Sequence, residues 1–291
     1  MNELAGAQSR QVAVEGVRFR LYRGGPAGTA SARPVLLLHG VPQTALVWRS
    51  LLPQLAVDRV VLAPDLKGLG DSEVAGPYDV PTLVRELAAL VLHEVDGEID
   101  VVGHDWGGSL GLALAAGRPD LVRRLVVINA SYRHIDYRRA FYIPFFALPV
   151  APEIAFALGG RELVRRMIRY AWCSEPPLDR DVLEHYATAY ADPARVGAML
   201  GYYRAVVRSR VAGLPRKLTG SPAGQPHRLR QQTLVLWGAA DPVLPLSVAE
   251  SVVRDVGAGA ELVVLPGVGH FSPEEAPDLV NETVGAFLRA D

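Results

Sequence analysis

An α/β fold built on a mostly parallel sheet is predicted by three observations. Short β-branched runs alternate with helical stretches, the later runs are almost continuously apolar, and one long interruption carries no strand-like alternation at all. The runs Val12 to Val14 and Val17 to Tyr22, separated by Glu15-Gly16, read as an antiparallel entry hairpin. Val35 to Leu38, Val60 to Ala63, Ile99 to Val102 and Leu125 to Ile128 follow, apolar at successive positions, as strands buried on both faces must be. Leu83, Leu87, Leu90 and Val91 give the segment before the fifth run a helical stripe, with Pro81 near its start.

Between Ser131 and about Pro226 only helical material rich in Arg, Tyr and Phe is found, and it ends in the Pro/Gly/Ser-rich stretch 213–226. Strand signals resume at Thr233 to Trp237 and Glu261 to Leu265, which brings the sheet to eight strands, and a last helix is expected from about Pro273 to Arg289. The expected organisation is a core in two parts, 1–131 and 227–291, around a helical cap of residues 132–226.

Composition narrows the function classes. A chain of 291 residues with a net charge of −1 has the size for one large domain and lacks the basic balance that nucleic acid or an anionic membrane would require. Cys173 is the single cysteine, so no intrachain disulfide can form, and the first ten residues lack the basic-then-apolar order of a signal peptide. A cytoplasmic protein acting on a small molecule is the expectation. Pro and Gly break the apolar stretch from Phe141 to Gly160 below the roughly 18 residues that a membrane span needs.

The most informative chemistry lies in Gly103-His104-Asp105-Trp106-Gly107-Gly108, an aspartate on a small-residue turn between a strand and a helix. A carboxylate attacking an acyl carbon would form a labile mixed anhydride, whereas displacement at sp³ carbon leaves an ordinary ester that water can cleave. Asp105 is therefore expected to open strained or activated alkyl electrophiles, such as epoxides or carbon–halogen bonds. The dipole of the following helix would keep it ionised.

Five motifs in order, His39-Gly40-Val41-Pro42, Pro64-Asp65-Leu66-Lys67-Gly68-Leu69-Gly70-Asp71-Ser72, the Asp105 turn, Trp237-Gly238-Ala239-Ala240-Asp241 and Gly267-Val268-Gly269-His270-Phe271, resemble the α/β-hydrolase-fold epoxide hydrolases. The haloalkane and haloacetate dehalogenases are near relatives with the same elbow. The resemblance implies the α/β-hydrolase fold, with Asp105 as nucleophile, His270 as the base that activates water and Asp241 as the acid that orients it. It also implies an oxyanion hole from the backbone N–H groups of Val41 and Trp106, each such donor being worth about 3 kcal/mol in the transition state. The rival acid position after Leu125 to Ile128 holds Asn129, which cannot supply a charge. His39 and Asp65 are expected to be structural.

An alkoxide leaves poorly unless its charge is met, and the resemblance assigns that task to cap tyrosines, Tyr142 and Tyr203, with Tyr202 as the alternative to the latter. Ala147 stands where the family usually has glutamine and Phe141 where tryptophan is common, changes expected to reshape the pocket and not the reaction. Phe145, Phe146, Leu148, Trp172 and Phe271 are expected to line it and to favour an apolar epoxide. No cofactor or metal is implied, and an exposed cap could mediate a homodimer. The competing readings are dehalogenation, in which the Trp106 and Trp172 indoles would hold a halide, and a non-catalytic binding protein that uses the same pocket. Val41 in place of the asparagine common in haloalkane dehalogenases, and Trp106 in place of the arginine of haloacetate enzymes, weigh against the first. An intact nucleophile, base and acid weigh against the second.

Overall fold

The computed structural model describes residues 4–26, 32–131, 134–135, 139–212 and 229–290. Eight strands, β1 (Ala7–Val14), β2 (Val17–Gly24), β3 (Val35–Leu38), β4 (Val61–Pro64), β5 (Ile99–His104), β6 (Val122–Ile128), β7 (Gln232–Gly238) and β8 (Ala260–Leu265), form one sheet in the order β1-β2-β4-β3-β5-β6-β7-β8. β1 and β2 pair antiparallel, β2 runs antiparallel to β4, and every pairing from β4 to β8 is parallel. This is the α/β-hydrolase fold. The parallel strands point their carboxyl ends to one edge, where β3, β5, β7 and β8 release the loops that carry Val41, Asp105, Asp241 and His270.

Burial follows the apolar patterns. β3, β4 and β5 are buried at every position, as central strands covered by helices on both faces should be. Helix α1 (Leu51–Leu55) follows a 3₁₀ turn at Ala45–Arg49. In α2 (Val80–Glu94) the stripe Leu83, Leu87, Leu90 and Val91 is buried, and the carboxylate of Asp79 caps the start by accepting from Thr82 N–H. Helix α3 (Trp106–Gly117) packs on β5 and β6 through small and aliphatic residues.

Several boundaries differ from expectation, β6 for one beginning at Val122 and not Leu125, and two of the differences have a plain physical cause. β1 begins at Ala7 and not Val12, because its first half is polar and partly exposed at the sheet edge and carries no apolar run. The terminal helix is two pieces, Ser272–Glu275 and Pro277–Arg289, with Ala276 between them at φ −139° and ψ 57°. Pro277 has no N–H to continue the ladder.

Among the described residues, four helices intervene between β6 and β7: α4 (Tyr142–Ala147), α5 (Ala151–Ala171), α6 (Arg180–Ala189) and α7 (Pro193–Ala212). Gly160, at φ 50°, bends α5 within its length. No strand occurs among the described residues of this insertion. The expected linker 213–226 lies outside the described residues. No helix among the described residues is long and apolar enough to cross a membrane.

Candidate active site

The turn between β5 and α3 is strained at one residue. Asp105 sits at φ 51° and ψ −118°, a region that costs an L-residue roughly 1–3 kcal/mol and persists only where its surroundings enforce it. The enforcement is visible. Its N–H donates to Ile128 O at 3.1 Å, its carbonyl accepts from Ser109 N–H at 3.0 Å, and α3 is pulled close under the sheet edge. A Cβ on Gly107 would strike the carbonyl groups of Leu38 and His39, and one on Gly103 would strike the backbone of Gly107, so side chains at either position would push the helix away.

The strained turn lifts the Asp105 carboxylate into a set of three charges. Its Oδ1 accepts from Val41 N–H at 2.9 Å, and its Oδ2 lies 3.7 Å from His270 Nε2. His270 Nδ1 donates to Asp241 Oδ2 at 2.7 Å, which leaves Nε2 facing Asp105. Asp241 is buried, and its Oδ1 accepts from Val243 N–H and Leu244 N–H at 2.7 and 2.8 Å. Burial alone would neutralise the imidazole, but Asp241 and Asp105 raise its pKa to about 10. Burial likewise opposes the Asp105 charge, yet His270, His104 and the Val41 amide together bring its carboxyl below the usual value. The His270 ring thus lies between two carboxyl groups that favour its protonated form.

Trp106 opens α3, where a helix start leaves N–H groups without intrahelical carbonyls, and its ring meets Tyr202 and Tyr203 edge-on at 5.3 and 5.2 Å. Tyr203 and Tyr142 meet edge-on at 5.9 Å, and both line the two cavities that open on Asp105. Burial pushes both phenols well above their usual pKa, with Asp105 adding to the effect, so they are neutral donors at any ordinary pH. Tyr202 is turned elsewhere. Its hydroxyl donates to Lys67 O at 2.8 Å and its ring stacks on Tyr78.

The larger cavity, about 330 Å³, is bounded by Asp105, His270, Val41 and an apolar wall. Phe145, Phe146 and Phe271 belong to that wall. Leu148 and Trp172, expected beside them, do not. Leu148 follows the end of α4 and is 48% exposed, while the Trp172 indole turns to the following loop and donates to Ser174 O at 2.8 Å. Met167, Leu163 and Tyr170 of α5 take their place. The smaller cavity, about 130 Å³, shares Asp105, Tyr142 and Tyr203 with the larger one and is lined further by Trp106 and Ile135.

His39 and Asp65 hold loops. His39 Nε2 accepts from Leu66 N–H at 2.8 Å, and its burial lowers the imidazole to about 4. Asp65 accepts from Ala45 N–H and Asp71 N–H, both at 2.8 Å, and burial raises its carboxyl to about 6. Asn129, although uncharged, is part of the site. Its Nδ2 donates to Asp241 Oδ2 at 2.7 Å, and its Oδ1 accepts from Gly238 N–H and the Ser272 hydroxyl. Its place at the end of β6, beside β7, was the available signal.

Residues 33–277 match the family described as alpha/beta hydrolase fold. A soluble epoxide hydrolase of Corynebacterium sp. (strain C12) is 30% identical over 294 residues, covering 96% of each chain. The solved structure of the epoxide hydrolase CorEH without ligand superposes with a TM-score of 0.80 at 27% identity, over 97% of this chain and 98% of that one. Wild-type Cfl2 from Burkholderia cenocepacia reaches a TM-score of 0.84 at 24% identity over 99% and 98% of the two chains, a likeness of fold alone.

Proposed function

Because the chain belongs to the alpha/beta hydrolase fold family, and within it to the epoxide hydrolases, we propose that it converts an apolar epoxide to a vicinal diol through an ester on Asp105. The observation that carries this reading is the placement of Asp105 beside two neutral phenols, Tyr203 buried and Tyr142 partly buried, in one apolar cavity, with Val41 N–H on one carboxylate oxygen and His270 beside the other.

Asp105 Oδ2 attacks a ring carbon, and the carbon–oxygen bond of the ring breaks. Its electron pair goes to the ring oxygen, which takes a proton from Tyr142 or Tyr203. A positioned acid of this kind contributes about 10²–10⁴-fold. The ester that results is neutral, so His270 loses one of the two charges that hold its proton. It releases that proton towards the phenolate and becomes a base, still oriented by Asp241.

His270 then takes one proton from a water whose oxygen adds to Cγ of Asp105. Negative charge gathers on Oδ1, where Val41 N–H already donates and Trp106 N–H is the second donor. The Cγ–Oδ2 bond breaks, the remaining proton of the water passes to the alkoxide, and the diol departs with Oδ2. The carboxylate and the imidazolium of the resting site are restored.

Dehalogenation by the same aspartate would need indole donors for a halide, and the Trp172 indole is committed to Ser174 O. A test of the proposed route is His270→Gln, which removes the base. Incubation with an epoxide should yield a protein heavier by the mass of the substrate, with the addition on the peptide bearing Asp105. Halide release from haloalkanes without epoxide turnover would favour the alternative.

A further inference from the structure

Resting on the epoxide-hydrolase reading, we propose that Glu275 is a positioning residue for the second half of the reaction, a clamp that sets the place of the His270 base and ties it to the insertion above. Its carboxylate gathers five donors. Oε1 accepts from Phe271 N–H at 2.9 Å; Oε2 accepts from Gly269 N–H at 2.8 Å, Cys173 N–H at 2.9 Å, Ser174 N–H at 3.0 Å and the Ser174 hydroxyl at 2.9 Å.

Two of these donors are the residues on either side of His270, and three lie just past the end of α5. The backbone of His270 is fixed from the same direction, since its N–H donates to Ala171 O at 3.0 Å. From the core side its carbonyl meets His104 Nε2 at 2.9 Å. The three chain segments press together at Gly269, where an added Cβ would lie 2.7 Å from Glu275 Oε1 and 2.9 Å from Cys173 N.

Bonds to a charged acceptor are about twice as strong as neutral ones, and only a carboxylate offers two oxygens to five N–H and O–H groups, with the glutamate stem giving the reach to all five. Glutamine at this position would turn an NH₂ group towards donors. The imidazole reaches Asp105 across 3.7 Å with its ring already fixed by Asp241, so a displaced backbone moves Nε2 relative to the ester carbon. Alkylation uses Asp105 and the tyrosines and feels the imidazole only as a nearby charge across 3.7 Å, whereas hydrolysis needs Nε2 placed against the attacking water.

The test compares wild type, Glu275→Gln and Glu275→Asp in single-turnover reactions with styrene oxide, following the adduct on the Asp105 peptide and the diol separately. Wild type must first show the adduct; without it the epoxide reading fails, and this proposal with it. Given the adduct, Glu275→Gln should slow diol release by about tenfold or more, the scale set by a small misplacement of a reacting group, with alkylation within about threefold. Glu275→Asp should recover part of the loss. The pH profile of the hydrolysis step should move in Glu275→Gln, as an imidazole shifted against Asp241 titrates differently. Equal slowing of both steps, or hydrolysis at the wild-type rate with an unmoved profile, overturns the proposal. If Glu275→Gln does not fold, Glu275→Asp is read alone. Its shorter reach should slow hydrolysis by itself, and a wild-type rate there overturns the proposal equally.

Discussion

Asn129 Nδ2 donates to the same oxygen of Asp241 that holds His270 Nδ1, so two donors converge on one buried carboxylate oxygen at 2.7 Å each. The two strands β6 and β7 are neighbours, and their carboxyl ends bring an amide and an acid into contact. The amide supplies no charge. It fixes the carboxylate that does, and in the proposed mechanism a shift of Asp241 reaches the water-activating nitrogen of His270 directly.

Asn129→Ala should therefore slow hydrolysis of the ester by about 10- to 100-fold, the range that follows from losing a hydrogen bond to a charged group. Asn129→Asp should do worse near neutral pH. It sets a second carboxyl against Asp241, and one of the two must take up a proton. Single-turnover rates of diol release between pH 6 and 9 distinguish the variants.

Tyr142→Phe and Tyr203→Phe should each reduce the rate of alkylation by about one to two orders of magnitude, and the double variant by about 10²–10⁴-fold, the full contribution of a general acid. Tyr202→Phe should change it by less than about threefold, because the Tyr202 hydroxyl is bound to Lys67 O and is not part of the proton path. Rapid-quench measurement of the adduct on Asp105 provides the comparison.

Stability should fall at alkaline pH through His270. Its folded pKa of about 10 stands above its ordinary 6.5, so folding favours the protonated ring. That contribution is whole below pH 6.5 and is lost as pH rises through about 10. Asp105→Asn removes one of the two carboxylates that raise the value, while His104, with its pKa near 4, stays neutral throughout. Thermal unfolding followed from pH 6 to 10.5 should show a smaller alkaline decline in Asp105→Asn than in wild type.

Gly107→Ala should destabilise the protein by about 3 kcal/mol or more, because the added methyl meets backbone carbonyls that no side-chain rotation can relieve. Trp172→Phe, by contrast, should leave KM for an epoxide within about twofold, as the indole lies outside the cavity and its bond to Ser174 O is local. Denaturant unfolding tests the first and steady-state kinetics the second.

The fold was legible because the central strands advertise themselves. Val35 to Leu38 and Ile99 to Val102 are apolar at every position or nearly so, and a segment buried on both faces has no other option. The first half of β1 was hidden since an exposed edge strand can be as polar as a loop. At the site, residues at strand ends could be placed from their motifs because the sheet fixes where a strand end goes. Leu148 and Trp172 were harder. They occupy helix ends, where a single turn of rotation decides whether a side chain meets the cavity or turns away. Asn129 was noticed for the charge it lacks, and its hydrogen bonds depend on a lateral strand contact that no local pattern reports.

Every later step of the proposed mechanism depends on the ester on Asp105. A single turnover with an epoxide in ¹⁸O-labelled water, followed by mass analysis of the Asp105 peptide and of the diol, tests it most directly. Label is expected in the carboxylate of Asp105 and none in the first diol released. Label in that diol, with the Asp105 peptide unlabelled, would contradict it.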